Sequence, residues 1–299
     1  MLIIVGALVV LVSVVGGYTM EGGKILLLSQ PAEFLIIGGA AIGSLLISTP
    51  PKVLKTMGGQ FGGVFGAGLT RDDFSDLLVM LYQLFRVIQQ TGVMALETHF
   101  ENPKESPILS KHPKFLARHH SLAFLSDSMK VIIVGGISAH DLDLLLEEDL
   151  DVHHSEAGKP AATLTKVGDS LPGLGIVAAV LGVVLTMQAI DGPPAEIGHK
   201  VGSALVGTFL GILMSYGFTL PLASSLEARV GDDGRYEQCI RAGVIAVYKG
   251  FPPAIAVEFA RRTLPSDVRP TFEETETLCR ATRSNAGGDA HAQPQQAAA

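Results

Sequence analysis

The chain is predicted to be an all-α polytopic membrane protein with four transmembrane helices and a helical cytoplasmic domain. Three observations predict this. Two long apolar spans, Leu171 to Ile190 and Val201 to Leu226, carry charge only at their rims and hold one proline each, Pro172 and Pro221. Two further apolar stretches, Leu2 to Thr19 and Phe34 to Ser48, lie near the N-terminus. Between the pairs, apolar residues recur at helical spacing with polar residues interspersed. A 299-residue chain that is 47% hydrophobic has room for a membrane core and soluble helices together.

The first stretch lacks the basic leader and the small-x-small cleavage signal of a secretory peptide before Tyr18, so it reads as a retained helix. The second is short but extends through Pro31, Ala32 and Thr49. Ser29-Gln30-Pro31-Ala32-Glu33 reads as its start, with a capping serine, a proline in the first turn and an acid near the positive end of the helix dipole. After Pro50-Pro51, the Gly-rich segment Gly58 to Gly66 lacks the Gly-Lys-Ser/Thr ending of a phosphate loop and is expected to be a flexible or closely packed connector.

An amphipathic helix is expected from Asp72 to Glu97, with Phe74, Leu77, Leu78, Leu81, Leu84, Phe85 and Ile88 on its apolar face. The turn-rich stretch Phe100 to Pro107 separates it from helical regions at about Pro113 to Val134 and Ser138 to Glu156. The run Val131 to Val134 is too short to span a bilayer and is expected to pack inside the helical domain. The acidic block Glu147 to Asp151 with His153 and His154 has metal-binding residue types. They fall on several faces of one helix, and a solvated surface is favoured over a metal site there and at His119 and His120.

Prolines inside the last two spans are tolerable in a bilayer, where neighbouring helices, hydroxyls and waters satisfy the freed carbonyls. A charged stretch and a helix from Gln238 to Val247 follow, and the tail from Ser284 to Ala299 has a disorder-prone composition. The predicted organisation is therefore transmembrane helices 1 and 2 in residues 1–49, a cytoplasmic helical domain in 50–166, transmembrane helices 3 and 4 in 167–226, a cytoplasmic helical segment in 227–283 and a tail in 284–299.

Basic residues set the orientation. Lys52 and Lys55 follow the second span, Lys159 and Lys166 precede the third, and Arg229, Arg235 and Arg241 follow the fourth, whereas the short loops hold only Lys24 and Lys200. By the positive-inside rule both termini and the large middle segment are cytoplasmic. Cys239 and Cys279 then lie in a reducing compartment, and no disulfide or zinc spacing is present. A net charge of -7 with no basic stripe excludes a nucleic-acid binder. With no Trp, the interfacial belt falls to Tyr18, Tyr216 and phenylalanines.

No Asp, Glu, Lys, Arg or His is placed inside a span; Glu33, Asp169, Asp191 and Lys200 sit at rims. A proton carrier needs such a group at membrane depth, so a proton path here would require a carboxylate from a partner helix. Small residues supply the wall. Ser203, Gly207, Gly211 and Ser215 recur every four residues with Thr208 on their flank, and Gly175, Ala178, Ala179 and Gly182 form a similar stripe, with a weaker one at Gly39 and Gly43. Such stripes serve helix packing alone or also line a pathway, and the Thr208 hydroxyl either faces that pathway or bonds back to its own helix.

At these residues the sequence resembles the A-subunit family of the bacterial flagellar motor stator, motility protein A (MotA), of the MotA/TolQ/ExbB proton channel family. The resemblance rests on Gly168-Asp169-Ser170-Leu171-Pro172-Gly173-Leu174-Gly175 with the residues following to Val180, and on Val206-Gly207-Thr208-Phe209-Leu210-Gly211. Gln30 to Glu33, Phe100 to Ser106 and Pro252 to Phe259 support it, in order, from Met1 to about Phe272. It implies a homopentamer of A subunits around two MotB-type B subunits, whose membrane aspartate takes up and releases protons, and contact with the rotor switch protein FliG. No cofactor is implied beyond the transported proton.

By the same resemblance, Pro172 and Pro221 shape the helices around the partner aspartate, and Thr208 lines the pathway. Ala179 stands where sodium-driven relatives carry a threonine; a missing hydroxyl weakens a sodium site, which favours protons. Glu97 matches a rotor-facing glutamate. The family's arginine aligns with Gln89, and Arg86, one turn earlier, is its candidate substitute. The rivals are an ExbB/TolQ-type energiser, against which four spans and the Phe100 to Ser106 segment argue, and a non-conducting scaffold. No nucleophile and base pair, metal spacing or nucleotide loop supports an enzyme. The expected location is the bacterial inner membrane.

Overall fold

The computed structural model describes residues 2–64, 66, 68–188 and 190–288. Its regular elements among these are all helices, and it divides into two units: Met1–Ala67 with Ser155–Val230, and Gly68–His154 with Gly231–Ala299. Four stretches are long and apolar enough to cross a membrane: Leu2–Met20, Ile25–Ser48, Ala139–Met187 and Pro194–Tyr248.

In the first unit, α1 (Leu2–Met20) buries no side chain within this chain, so its apolar surface is left for lipid or other helices. The second span begins with a short helix, α2 (Ile25–Leu28), followed by α3 (Pro31–Ser48). Ser29 closes α2, and Gln30 is the residue before α3 and makes no side-chain cap, so the expected serine cap is not formed. Pro31 starts α3 because its missing N–H is one that no helical carbonyl would have received. The expected Gly-rich connector is instead helix α4 (Pro51–Val64). Glycine disfavours a helix by about 1 kcal/mol relative to alanine. Here Lys52 pairs with Glu156, Gln60 donates to the Ala157 carbonyl and Arg229 donates to Gly63 and Gly66, which holds the segment.

In the second unit, α5 (Arg71–Thr91) is the central helix. A reciprocal cap starts it, with Thr70 N–H donating to Asp73 at 2.8 Å and Asp73 N–H to the Thr70 hydroxyl at 3.4 Å. Leu77, Leu78, Met80, Leu81, Leu84 and Phe85 are at most 1% exposed. Burying each such side chain contributes about 1.5–3 kcal/mol. The helix stops earlier than the apolar pattern indicates, because Gly92 adopts φ +89°, a conformation that other residues reach only at a cost. A 3-10 turn (Val93–Leu96) and the short α6 (Glu97–Glu101) follow.

After α7 (Pro113–Leu116) and α8 (His119–Val134) comes α9 (Ala139–Met187), 49 residues in one run with Pro160 and Pro172 inside it. The soluble helix expected from Ser138 and the third span are thus one helix. The run Val131 to Val134 is only partly enclosed: Ile132 is buried, while Val134 is exposed. The fourth span comprises α10 (Pro194–Ile212), a π-helical segment (Leu213–Thr219) and α11 (Leu220–Tyr248). Helices α12 (Pro253–Arg262) and α13 (Phe272–Gly288) complete the second unit. Residues 284–288 of the expected tail close α13, and 289–299 lie outside the described residues. Cys239 and Cys279 are free and buried, and burial pushes both thiols up to about 12.

Candidate functional site

The stripes of small residues predicted on the third and fourth spans meet as a seam between α9 and α10. A Cβ added to Gly175 would lie 2.8 Å from the Gly207 carbonyl oxygen, and one added to Gly211 would lie 2.6 Å from the Leu171 oxygen and 2.8 Å from Gly175 Cα. Only glycine permits so close a backbone approach. At the far end Gly182 meets Ala204, whose Cβ would lie 2.6 Å from a Gly182 side chain, so Ala204 rather than Ser203 holds the contact and Ser203 is half-buried. Ile37, Ala41, Leu171, Ala178, Val206 and Leu210 surround the seam, which draws α3 against both helices.

Ser215 ends the stripe. It is fully buried within the π-helical segment, and its hydroxyl has no partner among the described residues. Nearby, the Thr219 hydroxyl donates to the Met214 carbonyl at 2.8 Å. It thereby satisfies a carbonyl in a widened turn, just ahead of Pro221, which has no N–H to donate. Gly168 lies four residues before Pro172, where a proline leaves its carbonyl without a helical donor, and it packs on Leu220. Pro172 is half-buried and Pro221 exposed.

Thr208 and Ala179 lie half-buried on the flanks of the seam; a Gly207 Cβ would sit 3.2 Å from the Ala179 nitrogen. Thr165 and Thr186 donate back to carbonyls of their own helix, at 3.1 and 2.8 Å. Among the described residues Thr208 makes no such bond.

Glu33 is the site residue that sequence reasoning missed. Placed at a rim by counting along the span, it is 6% exposed in the first turn of α3, and its Oε2 lies 2.7 Å from where a Gly207 Cβ would be. That oxygen has no hydrogen-bond partner among the described residues. The available signal was an acid in the first turn of an apolar helix, opposite a helix with a glycine at the right depth.

In the second unit, Glu97 is exposed at the start of α6, after the break at Gly92, so it does not share a helix with Arg86. Arg86, half-buried on α5, lines one cleft with Gln89, Gln90, Tyr82 and Pro252 to Ala254. Among the described residues it has no ion-pair partner. Behind that cleft, Glu258 on α12 takes Arg261 at 2.6 Å and Arg262 at 2.6 Å. The Arg261 hydrogen bond is the main cause holding the Glu258 carboxyl below its ordinary range, against partial burial.

Comparisons with known proteins agree with this architecture. Residues 4–92 match the family described as motility protein A N-terminal, and residues 116–235 match the MotA/TolQ/ExbB proton channel family. The chain is 43% identical over 285 residues to motility protein A of Salmonella typhimurium, covering 95% of this chain and 97% of the relative. The Escherichia coli protein of that name is 42% identical over the same shares. The flagellar MotAB stator complex from Bacillus subtilis contains a chain that superposes with TM-score 0.70 at 25% identity, over 89% of this chain and 97% of that one. A backbone glycine seam, four spans and identity along nearly the whole length coincide in one protein, and the chain belongs to the motility protein A family.

Proposed function

We propose that the chain is the stator A subunit of a bacterial flagellar motor, which forms a proton channel with MotB and converts ion flow into torque on the rotor. The observation that carries this reading is the seam itself. Gly175, Gly207 and Gly211 hold α9 and α10 at backbone contact and leave Thr208 and Ala179 partly uncovered on its flanks. Glu33 is enclosed between α3 and α10, so it does not face a partner. A carboxylate that loads and unloads protons must then come from the B subunit, a reading supported by the likeness to the flagellar MotAB stator complex from Bacillus subtilis.

In this reading five copies surround the B helices, both termini are cytoplasmic in the inner membrane, and Arg86 and Glu97 meet FliG. Moving one charge through 100 mV yields about 2.3 kcal/mol, so each step must be a rotation between nearly equivalent packings. An ExbB/TolQ-type energiser is not favoured, because the motility relatives match from end to end.

The test is proton flux into vesicles carrying the chain alone, the B subunit alone, or both. Flux is expected only with both. Background flux in all three, with both proteins present at equal levels, would favour a non-conducting scaffold and overturn the reading.

A further inference from the structure

We propose that His120, His153 and Glu237 form a zinc-binding site that joins three helices of the second unit. The histidines fall on α8 and α9 and the glutamate on α11, so the cluster exists only when the unit is folded. His120 Nδ1 lies 2.8 Å from Glu237 Oε1, and His153 Nε2 lies 4.0 Å from the same oxygen. One ligand atom from each residue lies within 4.8 Å of the other two. Three tetrahedral zinc ligands stand roughly 3.4 Å apart at bond lengths near 2.05 Å, so a small rotation of the imidazoles closes the set.

The burial pattern argues for a cation here. The Glu237 side chain is 4% exposed, whereas those of His153 and His120 are 31% and 42% exposed. A carboxylate this deep is costly unless a positive group meets it. The nearby guanidinium, Arg118, is committed elsewhere: it pairs with Asp233 at 2.8 Å and lies 4.9 Å over the Tyr236 ring. Beyond the two histidines, the glutamate receives among the described residues only a long contact from the Ser121 hydroxyl at 3.4 Å. The two imidazole rings stack with centroids 3.2 Å apart and are both partly exposed, so the histidine side of the cluster is reachable from solvent.

The donor set selects the metal. Magnesium and calcium take oxygen ligands, whereas two imidazoles with one carboxylate suit zinc or iron(II), and zinc is the one of these that is satisfied by three protein ligands and a water in a tetrahedral set. Asp149 lies one helical turn before His153 and adds negative potential beside it. Bound zinc would tie α8, α9 and α11 together and raise the stability of the folded unit, because the unfolded chain holds these ligands apart.

The test uses the full chain in detergent, without a histidine tag and stripped of metal by a chelator. Titration with zinc chloride should show one saturable site per chain and a raised unfolding temperature, and cobalt(II) should give the visible absorption of a nitrogen- and oxygen-ligated ion. Magnesium chloride should do neither. Saturable binding should be lost in H153N and E237Q and kept in H119N/H154N, which changes the exposed neighbours. His153→Asn alters a partly exposed side chain, so it remains informative if Glu237→Gln does not fold. No saturable zinc binding by the natural chain, or binding that survives H120N/H153N, would overturn the proposal.

Discussion

Gly211 and Gly175 face each other so closely that a side chain on Gly211 would fall 2.8 Å from Gly175 Cα. Backbone cannot rotate aside as a side chain can. Gly211→Ala should therefore separate α9 from α10 and cost about 1–3 kcal/mol. Gly202→Ala in the same helix, where a Cβ would meet nothing within 4 Å, should keep or raise the unfolding midpoint, since alanine favours a helix by about 1 kcal/mol over glycine. Thermal unfolding in detergent compares the two, and equal midpoints would refute the seam.

Gly207 offers a milder collision, since its nearest neighbour is the end of the Glu33 side chain at 2.7 Å, with Ala178 Cβ at 3.0 Å. Gly207→Ala should destabilise, and Glu33→Ala should relieve part of that loss. A coupling of about 0.5–3 kcal/mol is expected in the double-mutant cycle. Strict additivity would mean that the two residues do not touch.

In the proposed channel Ala179 would supply no oxygen to a hard cation, and among the described residues the Thr208 hydroxyl makes no bond to its own helix. Swimming should follow the proton gradient and ignore sodium. Thr208→Ala should keep normal membrane levels and lose motility. Cells that stop in sodium-free medium with an intact proton gradient would contradict the ion assignment, and full swimming of T208A at high load would contradict the pathway role.

Arg86 shares its cleft with Gln89 and Gln90 and has no ion-pair partner among the described residues. Arg86→Glu should impair swimming, and a charge reversal on the rotor should partly restore it, because exposed pairs worth about 0.2–1 kcal/mol act mainly through complementarity. Glu97→Lys should behave likewise. Swimming assays at matched protein levels decide, and an unaffected R86E strain would leave Glu97 as the rotor contact.

Glu258 gives a pH prediction. Its carboxyl is held below the ordinary value of 4.5, chiefly by Arg261. The folded state therefore binds its proton less readily than the unfolded state. This contribution to stability is fully present above the ordinary value and fades as pH falls through the depressed one. Glu258→Gln should flatten the acid limb of stability against pH below about 5. It should also lower stability at neutral pH by about 1–3 kcal/mol, because Arg261 stays buried with one partner fewer. Parallel pH profiles for both proteins would refute this.

Much of the fold is legible in the sequence because hydropathy and helical spacing report which surfaces avoid water. Helix ends are less legible for the same reason. The charged residues from Ala139 and the apolar ones from Leu171 read as separate elements, yet α9 continues through both, its ladder losing a donor at Pro160 and Pro172 without ending the helix. That ladder is indifferent to whether its side chains face water or lipid. Glycine misleads in both directions: four glycines in α4 suggest a connector but remain helical, whereas Gly92 ends α5 while the apolar pattern continues. The seam was visible through its four-residue repeat. The enclosure of Glu33 and the meeting of His120 with His153 and Glu237 were not, since both depend on which helices lie side by side.

The π-helical segment from Leu213 to Thr219 has a consequence for the phase of the fourth span. A helix that bonds five residues back accommodates one more residue in that turn than its neighbours do, so side chains after it point in directions that simple counting from Gly207 and Gly211 would miss. Pro221 falls where this ladder is already out of step, and its missing donor interrupts little that was regular. Such a segment can exchange one bonding pattern for the other by slipping a single residue, which would turn Leu220 and its successors about the helix axis while the glycine contacts before it stay locked.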